Sequence, residues 1–120
     1  MSLLPLWRVV VQVPVSALPD VREAVLTLDP LAAGGYDQGV FEEAAGIEQF
    51  RALPGTRPAQ GTPGQVQRVP SVRLGFYLPR DAARLERLVC DGIAPHHPWR
   101  QPVVEVTEVQ LWVAAPDRAG

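Results

Sequence analysis

The chain has 120 residues, 47% of them hydrophobic and 20% charged, with a formal net charge of −2. That length suits one domain with its own core, and this balance excludes global disorder and argues against a basic nucleic-acid track. One cysteine, Cys90, excludes an internal disulfide and any metal cage built of cysteines alone.

All 11 basic residues are arginines, which excludes Schiff-base and P-loop lysine chemistry. Met1 to Trp7 lacks the charged region and long apolar stretch of a signal peptide, and the longest apolar run, Val9 to Val15, is too short to span a bilayer. The expectation is a single cytoplasmic domain over 1–120, with its core at 7–113 and a tail at 114–120.

Trp7 to Val13 is a β-branched run bracketed by Pro5 and Pro14, which predicts a buried strand. A helix follows, with Ser16 as its N-cap, Pro19 and Asp20 in its first turn, and an apolar face of Val21, Ala24, Val25 and Leu28. Asp29-Pro30 stops it. Gly34-Gly35 introduces an extended stretch, Tyr36 to Phe41, and Ile47 to Leu53 is a short strand returning beside it. Pro54 to Gly64 holds too many prolines and glycines for regular structure and is expected to be an exposed loop.

The second half repeats the plan. Val72, Leu74 and Phe76 alternate with Arg73, Gly75 and Tyr77 as a half-buried strand, with a kink or bulge expected at Pro70. Asp81 caps a helix whose apolar face is Ala82, Leu85, Leu88 and Val89 and which ends at Asp91-Gly92. Pro95 to Pro102 is a stiff loop. Val103 to Val113 changes apolar phase at Thr107-Glu108, which predicts a bulge in the last strand. Strand, helix, strand with a hairpin extension, strand, helix, strand is the order of an α+β, ferredoxin-like split β-α-β sandwich: an antiparallel sheet with two helices on one face. The first and last strands are apolar in both phases, so the open face is expected to be buried against another subunit.

Four segments bring a family into view. Gly34-Gly35-Tyr36-Asp37-Gln38-Gly39-Val40-Phe41 resembles the Gly-x-Tyr-x-x-Cys-x-Phe segment of the small domain inserted in YqfO dimetal-binding proteins. Phe50 to Pro58, followed by Gly61-Thr62-Pro63-Gly64, is similar to that domain's Phe-x-Pro-x-x-Gly-x-x-Pro and Gly-x-x-Gly. Val69 to Arg73 resembles its Val-x-x-x-Arg, and His97-Pro98-Trp99-Arg100-Gln101-Pro102 its His-Pro-Tyr-Glu-Glu-Pro. The resemblance implies a stand-alone relative with a CutA/PII-like fold, a homo-oligomer with the trimer favoured, and a regulatory or binding role. Gly39 replaces the family's cysteine and Arg100-Gln101 its two glutamates, so this loop is less suited to a cation than its counterparts.

Three groups carry candidate chemistry. Tyr36, Arg73 and Trp99 are a candidate ligand-binding set for a carboxylate or phosphate at subunit clefts; the plainer alternative is an ordinary subunit contact. His96 and His97 are the candidate ligands for a divalent metal ion; alternatively His97 orders a proline-bracketed turn and His96 faces solvent. Cys90 is read as buried and inert. No serine sits in a nucleophile elbow, and Glu42-Glu43 is most simply a solvated corner. The expected function is therefore non-enzymatic binding of a metal ion, a small molecule or a partner protein, without nucleic acid or membrane. The alternatives are a small enzyme on a dimeric ferredoxin-like scaffold, recognisable by an apolar pocket joining His96 or His97 to Tyr36 or Tyr77, and a purely structural module.

Overall fold

The computed structural model describes residues 2–58 and 61–114; the tail read at 114–120 lies almost wholly outside them. Strand β1 (Ser2–Pro14) leads through a short 3-10 turn (Val15–Ala17) into helix α1 (Leu18–Leu28). Two short strands follow, β2 (Phe41–Glu42) and β3 (Gly46–Arg51), then the long β4 (Val66–Pro79). Helix α2 (Ala82–Arg87) continues through a π-helical turn (Leu88–Ile93) into a last α-helical turn, α3 (Ala94–His96), and β5 (Val104–Val113) closes the chain. Every strand pairing is antiparallel, in the order β2-β4-β1-β5 with β3 also on β4. This is the ferredoxin-like α+β sandwich.

Four prolines frame the central β1–β4 ladder, which runs from Leu6 opposite Pro79 to Pro14 opposite Ser71. Pro5 and Pro70 lie one residue beyond its ends, where β1 keeps only β5 and β4 only β3. One edge of each strand is open there, so a missing N–H is tolerated. Pro5 is thus within β1 rather than before it, and β4 runs through Pro70 with no slip in register.

The bulge expected at Pro70 is found on its partner instead. Glu42 pairs with Leu74 and Gly46 with Ser71, so four steps along one strand face three on the other. The 36–53 region is therefore one interrupted edge, β2 then β3, both laid on β4, and not the expected hairpin. Most of Tyr36 to Phe41 is irregular.

On one face Val9, Val11 and Val13 of β1 and Leu74, Phe76 and Leu78 of β4 pack beneath Val21 and Val25 of α1 and Leu88 and Ile93 of the 82–96 helix. Asp81 caps that helix, accepting from the amides of Ala83 and Arg84 at 3.1 and 3.2 Å. Helix α1 has no side-chain cap: Ser16 falls inside the 3-10 turn and the N-cap position is Ala17. Ala82 is exposed, outside the buried face assigned to it.

The second helix does not stop at Gly92, because that glycine is a helix–helix contact: a Cβ there would lie 3.1 Å from Leu28 Cδ1. The wider π turn also lets Pro95, which lacks an N–H, ride in the final turn. Cys90, on the same turn, is exposed rather than buried.

Strand β5 keeps one register with β1 from Ser2–Val113 to Val11–Val104, without the expected bulge. Its apolar phase changes because its surroundings do. Val104 lies against the helix-covered core, whereas Val109 and Leu111 stand on the opposite face, beside Leu6 and Leu4. The middle of that open face is polar, crossed by ion pairs of Arg8 with Glu43 (3.3 Å) and Arg73 with Glu105 (3.1 Å). Apolar side chains thus flank that polar middle on both sides, Leu4, Val109 and Leu111 at the β1–β5 end and exposed Phe41 and Tyr77 toward β2 and β4.

Two ribbons run past the core, Ser2–Pro5 with Gln110–Val113 at one end and β3 with Val66–Pro70 at the other. They draw the chain out to 57 × 29 × 23 Å with a radius of gyration of 16.4 Å, against about 13.6 Å for a compact chain of this length. No helix among the described residues is long and apolar enough to cross a membrane.

Candidate functional site

The β3–β4 ribbon, the loop residues 52–58 and 61–64, and the 97–103 segment meet at one end of the sheet. The loop has a built shape. Leu53-Pro54-Gly55-Thr56 and Thr62-Pro63-Gly64-Gln65 each close with an amide-to-carbonyl bond, 3.0 and 3.2 Å. Each has proline second and a glycine of positive φ third, +87° at Gly55 and +86° at Gly64, as a type II turn requires. The Gly64 N–H donates to the Ala52 carbonyl at 2.8 Å and ties the neck.

Trp99 is fixed from three sides. Its backbone N–H donates to His97 Nδ1 at 3.0 Å, and its indole N–H to Glu48 Oε1 at 3.3 Å. Its ring meets Phe50 edge-to-face, with centroids 5.1 Å apart. Glu48 Oε1 also accepts from Ser71 Oγ at 2.5 Å. His97 is 6% exposed and its Nε2–H donates to the Gln12 carbonyl at 2.7 Å. The Trp99 amide needs an acceptor at Nδ1, so the ring is the neutral Nε2–H tautomer, with both nitrogens committed.

Between these elements runs a groove of about 510 Å³ lined by Phe50, Trp99, Pro58, Gln101 and three arginines, Arg51, Arg57 and Arg100. A smaller depression of about 140 Å³ adjoins it, sharing Gln12, Ile47 and Glu48 and adding Arg73.

Of the predicted binding set, Arg73 and Trp99 thus line neighbouring hollows. Tyr36 lines neither; it sits in the tight turn it closes with Ala33 and is largely exposed. Arg73 Nε is buried without a hydrogen-bond partner, while the guanidinium end reaches Glu105. His96 Nδ1 and His97 Nε2 engage different carbonyls, those of Gly92 and Gln12. Among the described residues no three His, Cys, Asp or Glu side chains group as a metal site would need.

The residues missed in the sequence are Phe50, Arg51 and Arg57. Their signal was present: an aromatic and two arginines border a proline-rich turn. Arg100 was noticed only as a departure from the glutamates of the resembling family, yet that departure gives the groove its sign.

Burial holds the His97 pKa below its ordinary value of 6.5, with the Gln12 hydrogen bond and Glu48 opposing. The unfolded chain therefore takes up a proton at His97 before the folded one does. This stability is full above about pH 6.5 and is lost as pH falls below it toward the folded value. Urea unfolding at about pH 7.5 and about pH 5.5 is expected to show that loss in the parent chain and a smaller one in His97→Gln.

No protein-family model matches the chain, and no curated protein matches it. Among solved structures it is similar to a Bacillus cereus protein related to NIF3, with 24% identity and a TM-score of 0.70 over 91% of this chain and 27% of that one. It is also similar to Staphylococcus aureus protein SA1388, with 14% identity and a TM-score of 0.55 over 92% of this chain and 24% of that one. The chain spans about a quarter of each of these proteins. The likeness is one of fold.

Proposed function

We propose that this chain, folded like a segment of a NIF3-related protein, is a non-enzymatic binding or regulatory module of the CutA/PII-like kind. It resembles the domain inserted in YqfO proteins, acts as a homo-oligomer with the trimer favoured, and takes its ligand at the Trp99 groove. The observation that carries this reading is the pair of ribbons. A two-stranded ribbon is marginal in water by itself, yet here the Ser2–Pro5 ribbon exposes Leu3 (51%), Leu4 (37%) and Trp112 (50%). Leu3 stands opposite Trp112, and Leu4 opposite Leu111 on the other face, so both faces are apolar. Beyond them, among the described residues, β3 and β5 each leave one edge unpaired by any other strand. A second copy is the simplest cover for such surface.

The groove supports binding over catalysis, since the imidazole behind it has both ring nitrogens engaged by backbone groups and offers no free base.

Sedimentation velocity at micromolar concentration tests the assembly. The expected species is a trimer, and a Leu3→Glu, Leu4→Glu double variant is expected to sediment as a folded monomer. A parent chain that is already monomeric removes the homo-oligomer from this reading.

A further inference from the structure

Ten of the arginines are among the described residues, and seven of them have a partner. Arg8, Arg22, Arg73, Arg80 and Arg84 pair with carboxylates, Arg68 with the Gln49 amide and Arg87 with the Leu28 carbonyl. Arg51, Arg57 and Arg100 make no ion pair or side-chain hydrogen bond within the described residues, and all three line the Trp99 groove.

The single carboxylate lining that groove, Glu48, is already held by Ser71 and Trp99. In a chain of net charge −2, this one hollow therefore gathers three guanidinium groups without an ion pair around a single carboxylate, a local excess of positive charge. Like charges so gathered repel one another, and an anion between them relieves that repulsion while using the planar fork of each guanidinium. The half-buried rings of Phe50 and Trp99 line the same hollow and offer an apolar wall. Its volume, about 510 Å³, is that of a small-molecule site.

From this we infer that the groove binds a small organic anion with a phosphate or carboxylate group attached to a flat ring. The oxyanion sits among Arg51, Arg57 and Arg100, and the ring lies against Phe50 and Trp99. The inference rests on the reading of the chain as a binding module and supplies its ligand class.

The test is calorimetric titration of the full chain with phenyl phosphate, benzoate and inorganic phosphate, with tryptophan fluorescence read in parallel. Phenyl phosphate or benzoate is expected to saturate one site per chain, and whichever binds more tightly identifies the oxyanion. Inorganic phosphate is expected to bind at least about tenfold more weakly, and added salt to weaken all binding. Because the arginines are exposed, an Arg51→Gln, Arg57→Gln, Arg100→Gln variant is expected to keep its circular dichroism spectrum. It should lose affinity by about a hundredfold or more.

The inference is overturned if neither ring-bearing probe binds at millimolar concentration, or if the triple variant binds as the parent does. A single-stranded oligonucleotide that binds far more tightly than phenyl phosphate also overturns it. Sedimentation separates the two levels: an oligomer that ignores the probes sinks the ligand class alone, while a monomer that binds them sinks the assembly alone.

Discussion

Phe76→Ala is expected to lower the unfolding free energy by about 4 kcal/mol, the largest effect foreseen for a single substitution. Phe76 is 2% exposed, lies on β4 opposite Val9 of the central strand, and is among the largest buried side chains. Its ring is sealed between the sheet and the two helices, and the strands to either side cannot close the hole it would leave. For a domain whose total stability is about 10 kcal/mol, this is a large fraction of the whole. Urea unfolding should show a lower midpoint at unchanged slope, and the thermal midpoint should fall by roughly 15 °C. Phe76→Leu keeps most of the volume and should cost only about 1 kcal/mol. A loss below about 1 kcal/mol for the alanine variant would show that the sheet–helix interface is not the core.

Asp29→Ala comes second, at about 3 kcal/mol. Asp29 follows the last residue of α1 and is 6% exposed. Its carboxylate takes Nε and Nη2 of Arg84, each at 2.9 Å, and the Leu31 amide at 3.0 Å. That last bond holds Leu31 at φ +58°, a left-handed conformation costly for leucine, while its side chain enters the core. One side chain thus joins the end of the first helix, the start of the second and the turn between α1 and the edge strands. Removing it strands the Leu31 amide, although Arg84, partly exposed, can turn to water. Asp29→Asn, which keeps an acceptor for Leu31, should recover part of the loss. A double-mutant cycle with Arg84→Ala should give a coupling above about 1 kcal/mol; additive losses would show that the pair is merely adjacent.

The two substitutions also mark where the sequence was easy and hard to read. Phe76 was legible because β4 alternates cleanly there. Asp29 was legible only as a helix stop, since its partner is 55 residues away. The same distance effect explains the other differences. Gly92 has the look of a helix end, but Leu28 and Ala24 of the opposite helix explain why it is glycine. The edge strand was obscured because a bulge breaks its alternation between Glu42 and Gly46. Arg73 and Trp99 line neighbouring hollows, whereas Tyr36 was grouped with them on residue type alone, and the turn that holds it lines neither.

Local chemistry, by itself, determined the three long strands, the two helices and their order: β-branched runs framed by prolines, amphipathic helices, and Asp81 at its cap. From these follow the antiparallel sheet and the helices on one face, because short-range sterics and hydrophobic period operate within a few residues. Tertiary structure alone decided which arginines lack a counter-charge, which histidine nitrogens are engaged, and where ion pairs cross the open face. Those properties depend on what lies across a gap of a few ångströms, and such neighbours come from segments far apart in the chain.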